Sequence, residues 1–401
     1  MSFFFDRWFK FFLGALVFLF FLISVQDVYA FPPLPGEPNY SVSAHGDATA
    51  GVNRNSTATI GYAPGHCAHC HEQHASIDGD EPVPADGPDE YLLFDTNHTD
   101  QAENFCFDCH DNTTTYAATA IVNRSYSYNF GGDTTAGSYD DDILEAFSHT
   151  ASGSSHHLPS IAALRGTTLQ DADGNSWTLP ADINPCDACH NPHIAQRNKN
   201  ATYDATKSAI SRPSDRSNRW GDDVTERMSS VYSDYQAPYW YGSTSTYEPA
   251  GDGTDDGSNL PNYVKLCTDC HNDYNTIYSS NPRLPSGPRN LLKLSWKTSS
   301  VVVDPDAHGA LNGSISWPRA PYVQYADRTL CCTDCHEPHG SPNSIYLVRS
   351  SINAADITVP STSDASWQSF CYNACHTQAD HKSTKPGCAG CHKHGYGKGG
   401  F

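Results

Sequence analysis

The sequence predicts a chain of mostly irregular coil, with short helices at a recurring cysteine–histidine motif and few short strands. Three observations lead to this fold class. A Cys-x-x-Cys-His pattern recurs along the chain, the apolar content is low, and the segments between the motifs are rich in Pro, Gly, Ser, Thr and Asn. Segments of that composition favour loops and turns. The motifs, and not a regular helix or strand pattern, therefore organise the chain.

The motifs account for fourteen of the fifteen cysteines. In this pattern two thiols add across the vinyl groups of a haem, and the adjacent histidine reaches the iron. Zinc sites or disulfides are the alternative, but zinc favours sets of four ligands, and neither requires a histidine after each second cysteine. Six motifs are regular, and site 6 has one extra residue between its cysteines. Sites 1 to 7 are Cys67, Cys70 and His71; Cys106, Cys109 and His110; Cys186, Cys189 and His190; Cys267, Cys270 and His271; Cys332, Cys335 and His336; Cys371, Cys375 and His376; and Cys388, Cys391 and His392.

The apolar content favours a core built partly from cofactor. With Gly counted and Tyr left out, roughly 40% of the residues are apolar, against about 45–50% in a typical globular domain. Only 17% are charged, which does not fit a disordered chain. Seven haem c groups, each with its iron, would supply the missing apolar surface. We therefore expect a multihaem cytochrome c fold around a stacked chain of haems, with little folding in their absence.

The N-terminus has the pattern of a secretory signal peptide over residues 1–30. Two basic residues precede an apolar run from Phe11 to Ile23, and a small residue, Ala30, ends the segment. This pattern predicts export, in agreement with haem c attachment outside the cytoplasm; an uncleaved anchor is the alternative. Residues 31–401 are then expected to form a single heptahaem domain with no membrane span in the mature chain.

The charge of the chain is strongly negative, with a formal net charge of −21. A chain of this charge lacks the basic surface that binds nucleic acid, so we expect no nucleic-acid partner. Its acidic, hydroxyl-rich composition favours secretion to the extracellular space or cell surface, with the periplasm as the alternative location.

Each haem iron takes a second axial ligand or keeps an open position. Of the twenty histidines, seven belong to the motifs, and His66 and His69 lie too close to the site 1 cysteines to reach an iron. Methionine is nearly absent, with only Met228 outside the predicted signal peptide, so we expect bis-histidine ligation and low reduction potentials. The eleven candidate distal ligands are His45, His74, His98, His149, His156, His157, His193, His308, His339, His381 and His394.

Three of these candidates share one position, three residues after a motif histidine: His74, His193 and His339. Each lies too close to its own motif histidine to serve the same iron, because that histidine already occupies one face. We therefore expect these three residues to reach a neighbouring haem and to link consecutive haems.

Two other features lie outside the motifs. Residues 167–179 predict a hairpin around an Asp-Gly turn at Asp173; calcium binding by its acidic residues is the alternative, although the Gly and Glu positions of an EF-hand loop are missing. Helix formation is predicted over residues 141–147. Cys331 is the leftover cysteine, for which a buried free thiol is favoured over an intermolecular disulfide.

The segments Cys186–His193 and Cys332–Gly340 resemble the multihaem cytochromes with doubled Cys-x-x-Cys-His motifs. The wider layout resembles the OmcS-type extracellular cytochromes of metal-reducing bacteria, which polymerise into conductive filaments. Those chains have six haems, so the seventh site and the longer sixth motif are departures. The resemblance implies that His74 ligates a haem of the adjacent subunit.

Three functions are compatible with these patterns. The first is a non-catalytic electron conduit that polymerises into a filament and exchanges electrons with other redox proteins or extracellular acceptors. The alternatives are a monomeric periplasmic electron carrier and a multihaem oxidoreductase of the nitrite, hydroxylamine or tetrathionate type. Such an enzyme needs an open iron position, sometimes marked by a lysine in place of the motif histidine, and no motif carries that lysine.

Overall fold

The chain divides into two compact units, residues 1–39 and residues 40–401. The predicted signal peptide and site 7 lie outside the described residues. The computed structural model describes residues 39–55, 61–71, 91–95, 99–111, 113–119, 121, 143–148, 154–171, 173–197, 204, 206–248, 254–272, 274–275, 318–323, 328–343, 346–359 and 364–377.

Helices in the described residues are short, and most begin or end at a motif. Single 3-10 turns span Tyr40–Val42, Cys67–His69, Phe105–Asp108, Pro185–Ala188 and Val224–Glu226. The α-helices are α1 (Ile143–Phe147), α2 (Leu158–Ala162), α3 (Met228–Val231), α4 (Tyr263–Cys267), α5 (Cys332–Cys335) and α6 (Asp364–Ala374). Helix α1 lies within the segment predicted to be helical.

The strands of the described residues form three separate antiparallel pairs. Strand β1 (Ser154–Ser155) pairs with β4 (Gly340–Ser341), β2 (Thr168–Gln170) with β3 (Ser176–Thr178), and β5 (Ser351–Ile352) with β6 (Ala355–Asp356). The β2–β3 pair confirms the predicted hairpin. The pair β1–β4 joins segments far apart in the chain and lies directly beside two of the candidate ligands.

Apolar side chains in the described part of the chain form four small clusters rather than one core. The cluster around Leu169 and Trp177 packs against motif cysteines of sites 3 and 4, and the cluster around Val348 and Ile352 packs against those of sites 5 and 6. A larger cluster around Met228 packs against cysteines of sites 5 and 6, and a fourth surrounds Phe107, Phe147 and Leu158. Three of the four clusters therefore lie against motif cysteines.

The helices of the described residues are all too short or too polar to cross a bilayer.

Candidate haem-ligating site

Each regular motif in the described residues forms a tight turn, in which backbone N–H groups donate to the carbonyl oxygen of the first cysteine. At site 1 the backbone N–H groups of Cys70 and His71 both donate to the Cys67 carbonyl, at 3.1 and 2.8 Å. Sites 3 and 4 repeat both bonds. One tight turn thus brings two thiols and an imidazole together, which is the arrangement that two thioether bonds and an axial ligand require.

The extra residue of site 6 widens this turn without breaking it. There the N–H groups of Cys375 and His376 both donate to the Cys371 carbonyl, at 3.1 and 3.0 Å. The two bonds span four and five residues instead of three and four, so the inserted residue is absorbed as one wider helical turn. Site 6 therefore keeps the local arrangement of the regular motifs.

Sites 2 and 3 are joined through the residues that cap their turns. Asn104 Oδ1 accepts from the Cys106 N–H at 3.1 Å, and Asn184 Oδ1 accepts from the Cys186 N–H at 2.9 Å. The two asparagine side chains also donate to each other, at 3.3 and 2.8 Å. This reciprocal contact fixes the relative position of the two motifs.

In the part of the chain that the structure describes, histidine rings meet in four pairs, and each pair joins one motif histidine with one candidate distal ligand. No pair among the described residues joins two motif histidines or two candidates. The ring centroids lie 6.3 Å apart for His71 and His193, 6.1 Å for His110 and His45, 6.0 Å for His190 and His339, and 6.2 Å for His271 and His156.

This spacing fits a metal ion held between two imidazoles. With metal–nitrogen bonds of about 2.0–2.1 Å and a ring centroid about 1.1 Å beyond each nitrogen, two axial imidazoles have centroids about 6.3 Å apart. Ordinary aromatic pairs also fall between about 4.5 and 7 Å, so the distance alone is not decisive. The narrow range from 6.0 to 6.3 Å and the constant pairing of motif with non-motif histidine favour ligation.

The rings are held so that Nε2 remains for a metal. When Nδ1–H donates to a fixed acceptor, Nε2 is the nitrogen that carries the available lone pair. Five of the eight paired rings make such a bond. The acceptors are the carbonyls of Tyr91 for His71 (2.9 Å), Ala209 for His190 (2.9 Å), Pro192 for His45 (2.9 Å) and Pro338 for His156, and the Glu337 carboxylate for His339 (3.0 Å).

Burial favours the neutral form of five of the paired rings, the form that ligation requires. Burial lowers the pKa of both His190 and His271 to about 4. Burial likewise lowers the pKa of His45, His156 and His193. These imidazoles therefore carry no proton on the coordinating nitrogen at neutral pH.

The histidine pairs follow a repeat of two sites. The backbone N–H of Ala44 donates to the Ala195 carbonyl, so the segment holding His45 lies beside the segment holding His193. In the same way β1 pairs with β4, so His156 lies beside His339. In both cases the proline before the second histidine accepts the Nδ1 proton of the first, at Pro192 and at Pro338.

The two described third-position histidines each face a motif histidine two sites back, whereas we expected them to link consecutive sites. His193, from the site 3 segment, pairs with His71 of site 1, and His339, from the site 5 segment, pairs with His190 of site 3. The even-numbered sites 2 and 4 take their partners, His45 and His156, from segments ahead of the preceding motif. The expectation failed because histidines from these separate segments, and not third-position histidines, face the motif histidines of sites 2 and 4.

The first six sites adjoin one another in chain order. The second cysteines of sites 1 and 2 lie near each other, since the Cys70 charge adds to burial in raising the pKa of Cys109 to about 12. The first cysteines of sites 2 and 3 are hydrogen-bonded: the Cys106 thiol donates to Cys186, and this bond together with burial raises the pKa of Cys106. The same alternation continues along the chain. Second cysteines are neighbours between sites 3 and 4 (Cys189 and Cys270), first cysteines between sites 4 and 5 (Cys267 and Cys332), and second cysteines between sites 5 and 6 (Cys335 and Cys375).

The remaining histidines either make hydrogen bonds to nearby residues or lie outside the described residues. His157 precedes α2 and its Nδ1 lies 2.7 Å from Ser160 Oγ. His66 caps the site 1 turn through the Ala68 N–H, and the buried His69 bonds the Ala63 carbonyl and accepts from the Arg54 N–H. The candidates His74, His98, His149, His308, His381 and His394 lie outside the described residues.

Two further sequence predictions concern single residues. Cys331 is a buried thiol at the N-terminus of α5, where its backbone N–H donates to Asp334. Asp171 Oδ1 accepts from the backbone N–H groups of Asp173 and Asn175, both at 2.9 Å, as in an ordinary turn. That carboxylate stabilises the hairpin.

Sequence reasoning missed two residues that orient ligands. Glu337 is fully buried and accepts from His339, and no spacing rule marks it. Gly340 begins β4 so close to α1 that a Cβ there would overlap the Ala146 carbonyl. The signal for Gly340 was the Pro-His-Gly sequence, since a glycine often marks a close approach of two backbones.

Comparisons with protein-family models, with curated proteins and with solved structures return no match to this chain. Within the described residues no group of three or more His, Cys, Asp or Glu side chains is arranged to hold a metal ion. A haem iron takes only two axial ligands from the chain, so the histidine pairs are the geometry to test.

Proposed function

We propose that this chain is a secreted heptahaem c-type cytochrome that conducts electrons and does not catalyse a substrate reaction. The observation that carries the proposal is the set of four histidine ring pairs, each with one motif histidine and a centroid spacing of 6.0 to 6.3 Å. A second imidazole on each of these irons leaves no position for a substrate, which favours a conduit over an oxidoreductase.

The nearness of neighbouring motifs supports conduction along the chain. When bound, each haem would supply a one-electron redox centre. The motif cysteines of the first six sites lie near one another in sequence order, from Cys70 and Cys109 to Cys335 and Cys375, and would hold the centres in that order. Burial excludes water from the ligands, and fixed Nδ1 bonds limit their movement.

The two-site repeat extends the proposal to residues outside the described ranges. His45 precedes site 1 and pairs at site 2, and His156 precedes site 3 and pairs at site 4. By the same rule His308, which precedes site 5, is the ligand for site 6. His74 would reach two sites back from site 1, and therefore to a haem of a second subunit.

An intersubunit ligand of this kind would join subunits end to end into a conductive filament. The negative net charge suits assembly outside the cell and exchange of electrons with redox proteins or extracellular acceptors. A monomeric carrier would use the same ligand chemistry but would not need His74.

Haem content and iron spin state test the proposed function first. Intact-mass spectrometry should show seven covalent haems per chain, and electron paramagnetic resonance should show low-spin iron. A mature protein without covalent haem would overturn the proposal. A large high-spin population would instead favour an enzyme with an open iron.

Filament formation is tested by electron microscopy of His74→Ala. We expect the variant to give discrete particles while the native chain gives filaments. His66→Ala is the matched control, because His66 is an exposed residue of the same segment whose contacts are local: it caps the site 1 turn and packs against the Tyr62 ring. Filaments that persist in His74→Ala would contradict the intersubunit ligand.

A further inference from the structure

Glu337 is a fully buried carboxylate in contact with one of the paired histidines. Its Oε1 lies 3.0 Å from His339 Nδ1 and 3.5 Å from the His339 backbone nitrogen. Its Oε2 has no hydrogen-bond partner among the described residues. A buried oxygen left without a donor costs free energy, so its retention calls for an explanation.

Glu337 directly follows the motif histidine of site 5. The residue at the same position of site 3 is Asn191, a neutral side chain with different contacts. Asn191 Oδ1 accepts from the His193 backbone N–H at 3.0 Å, and its amide donates to the Arg216 carbonyl at 2.9 Å. Burial, then the His71 and His45 rings and Arg216, lower the pKa of His193, and the Arg216 guanidinium is itself paired with Asp187 at 3.6 Å. His339 is hydrogen-bonded to a carboxylate, whereas the corresponding side chain beside His193 is a neutral amide.

A carboxylate that accepts the Nδ1 proton of an axial imidazole makes that imidazole a stronger donor to the metal. Its negative charge also stabilises the more positive, oxidised iron, and this interaction is strong in a buried site. Both effects lower the reduction potential of the iron that His339 and His190 face.

We propose that Glu337 is a positioning residue that sets the iron of site 3 at a lower reduction potential than that of site 1. This inference rests on the proposed function, because it requires haem between His190 and His339. It assigns unequal potentials to two sites with the same ligand type, and so places an energy step within the chain of haems.

Spectroelectrochemical titration of Glu337→Gln tests the proposal. The substitution keeps the side-chain shape and an acceptor oxygen but removes the charge. We expect one component, about one seventh of the absorbance change, to move to higher potential. The expected size is a tenfold or greater change in the ratio of reduced to oxidised iron, or about 59 mV for a one-electron couple. A purely structural role would leave the potentials unchanged.

Asn191→Asp is the matched reciprocal variant, because it adds a charge at the equivalent position. We expect a different component to move to lower potential. In a His339→Ala background, Glu337→Gln should have a smaller effect, since the hydrogen-bonded ligand is gone and only the direct action of the charge remains. An unchanged titration of Glu337→Gln, or a shift spread evenly over all components, would overturn the proposal.

The haem stoichiometry of each variant keeps the two claims separate. A wild-type chain without seven haems contradicts the proposed function itself. Seven low-spin haems in both wild type and Glu337→Gln, with identical titrations, contradict only the role of Glu337.

Discussion

Replacing His156 by alanine should open the iron of site 4 and no other. The His156 ring faces the ring of His271 at 6.2 Å and donates from Nδ1 to the Pro338 carbonyl. With seven haems per chain, loss of this ligand should convert about one seventh of the iron to five-coordinate, high-spin haem. The Pro338 carbonyl would also lose its donor, at a cost of about 1–3 kcal/mol in the free energy of unfolding.

The adjacent His157 supplies a matched control. It follows the extended strand β1 and has extended backbone angles, with φ −90° and ψ 101°. Consecutive side chains on an extended backbone point to opposite sides, so His157 does not replace His156 without rebuilding the start of α2. His157→Ala should therefore leave every haem low-spin.

Electron paramagnetic resonance of the oxidised proteins measures this difference directly. The reasoning is refuted if His156→Ala keeps seven haems and shows no high-spin signal. It is equally refuted if His156→Ala and His157→Ala give the same signal, because the pairing with His271 would then not be specific.

Three further outcomes follow from the packing. Arg349→Met should lower the free energy of unfolding by about 3–5 kcal/mol in urea titrations at pH 8. Burial raises the pKa of Glu248 to about 7 with Arg349 in place, so without Arg349 the buried carboxylate must stay charged and unpaired or take up a proton as its pKa rises further. Glu248→Met with Arg349→Met should recover most of the loss. Gly340→Ala should lower the free energy of unfolding by about 1–3 kcal/mol, because the new methyl group overlaps the Ala146 carbonyl and displaces β4. The displacement should move the adjacent His339 and produce high-spin iron. Unchanged spectra would count against the close approach of Gly340 to Ala146. Chain produced without haem attachment should show no cooperative transition in calorimetry, because the described apolar clusters are small, whereas a sharp transition would show that the polypeptide folds alone.

The sequence predicts the motif residues because their chemistry fixes their spacing. Two thioether bonds and an adjacent ligand require a short local pattern, and the described motifs form one backbone turn each. The hairpin at residues 168–178 is predictable for the same reason, since its turn residues are local. Such features depend on neighbours within a few residues.

The pairing of ligands was not predictable because it depends on contacts between distant segments. His45 is held by Pro192, 147 residues away, and His156 by Pro338, 182 residues away. The sequence marks all four paired candidates as possible ligands but contains no local signal for which iron each one faces. The expectation that third-position histidines link consecutive haems failed on this point.

Buried charges were also beyond sequence reasoning. Glu248 and Arg349 form a fully buried ion pair, although they are 101 residues apart. In the sequence, Glu337 is one of many acidic residues in a chain with a net charge of −21. Only the fold distinguishes a carboxylate that orients a ligand from one on the surface.

High-resolution electron microscopy of the native protein from the extracellular fraction tests the central claim most directly. We predict filaments with seven macrocycles per subunit and one macrocycle between each of the pairs His71–His193, His110–His45, His190–His339 and His271–His156. The macrocycles should continue across the subunit boundary without a gap. Discrete monomers would contradict the filament, and empty space between the paired rings would contradict the haem assignment.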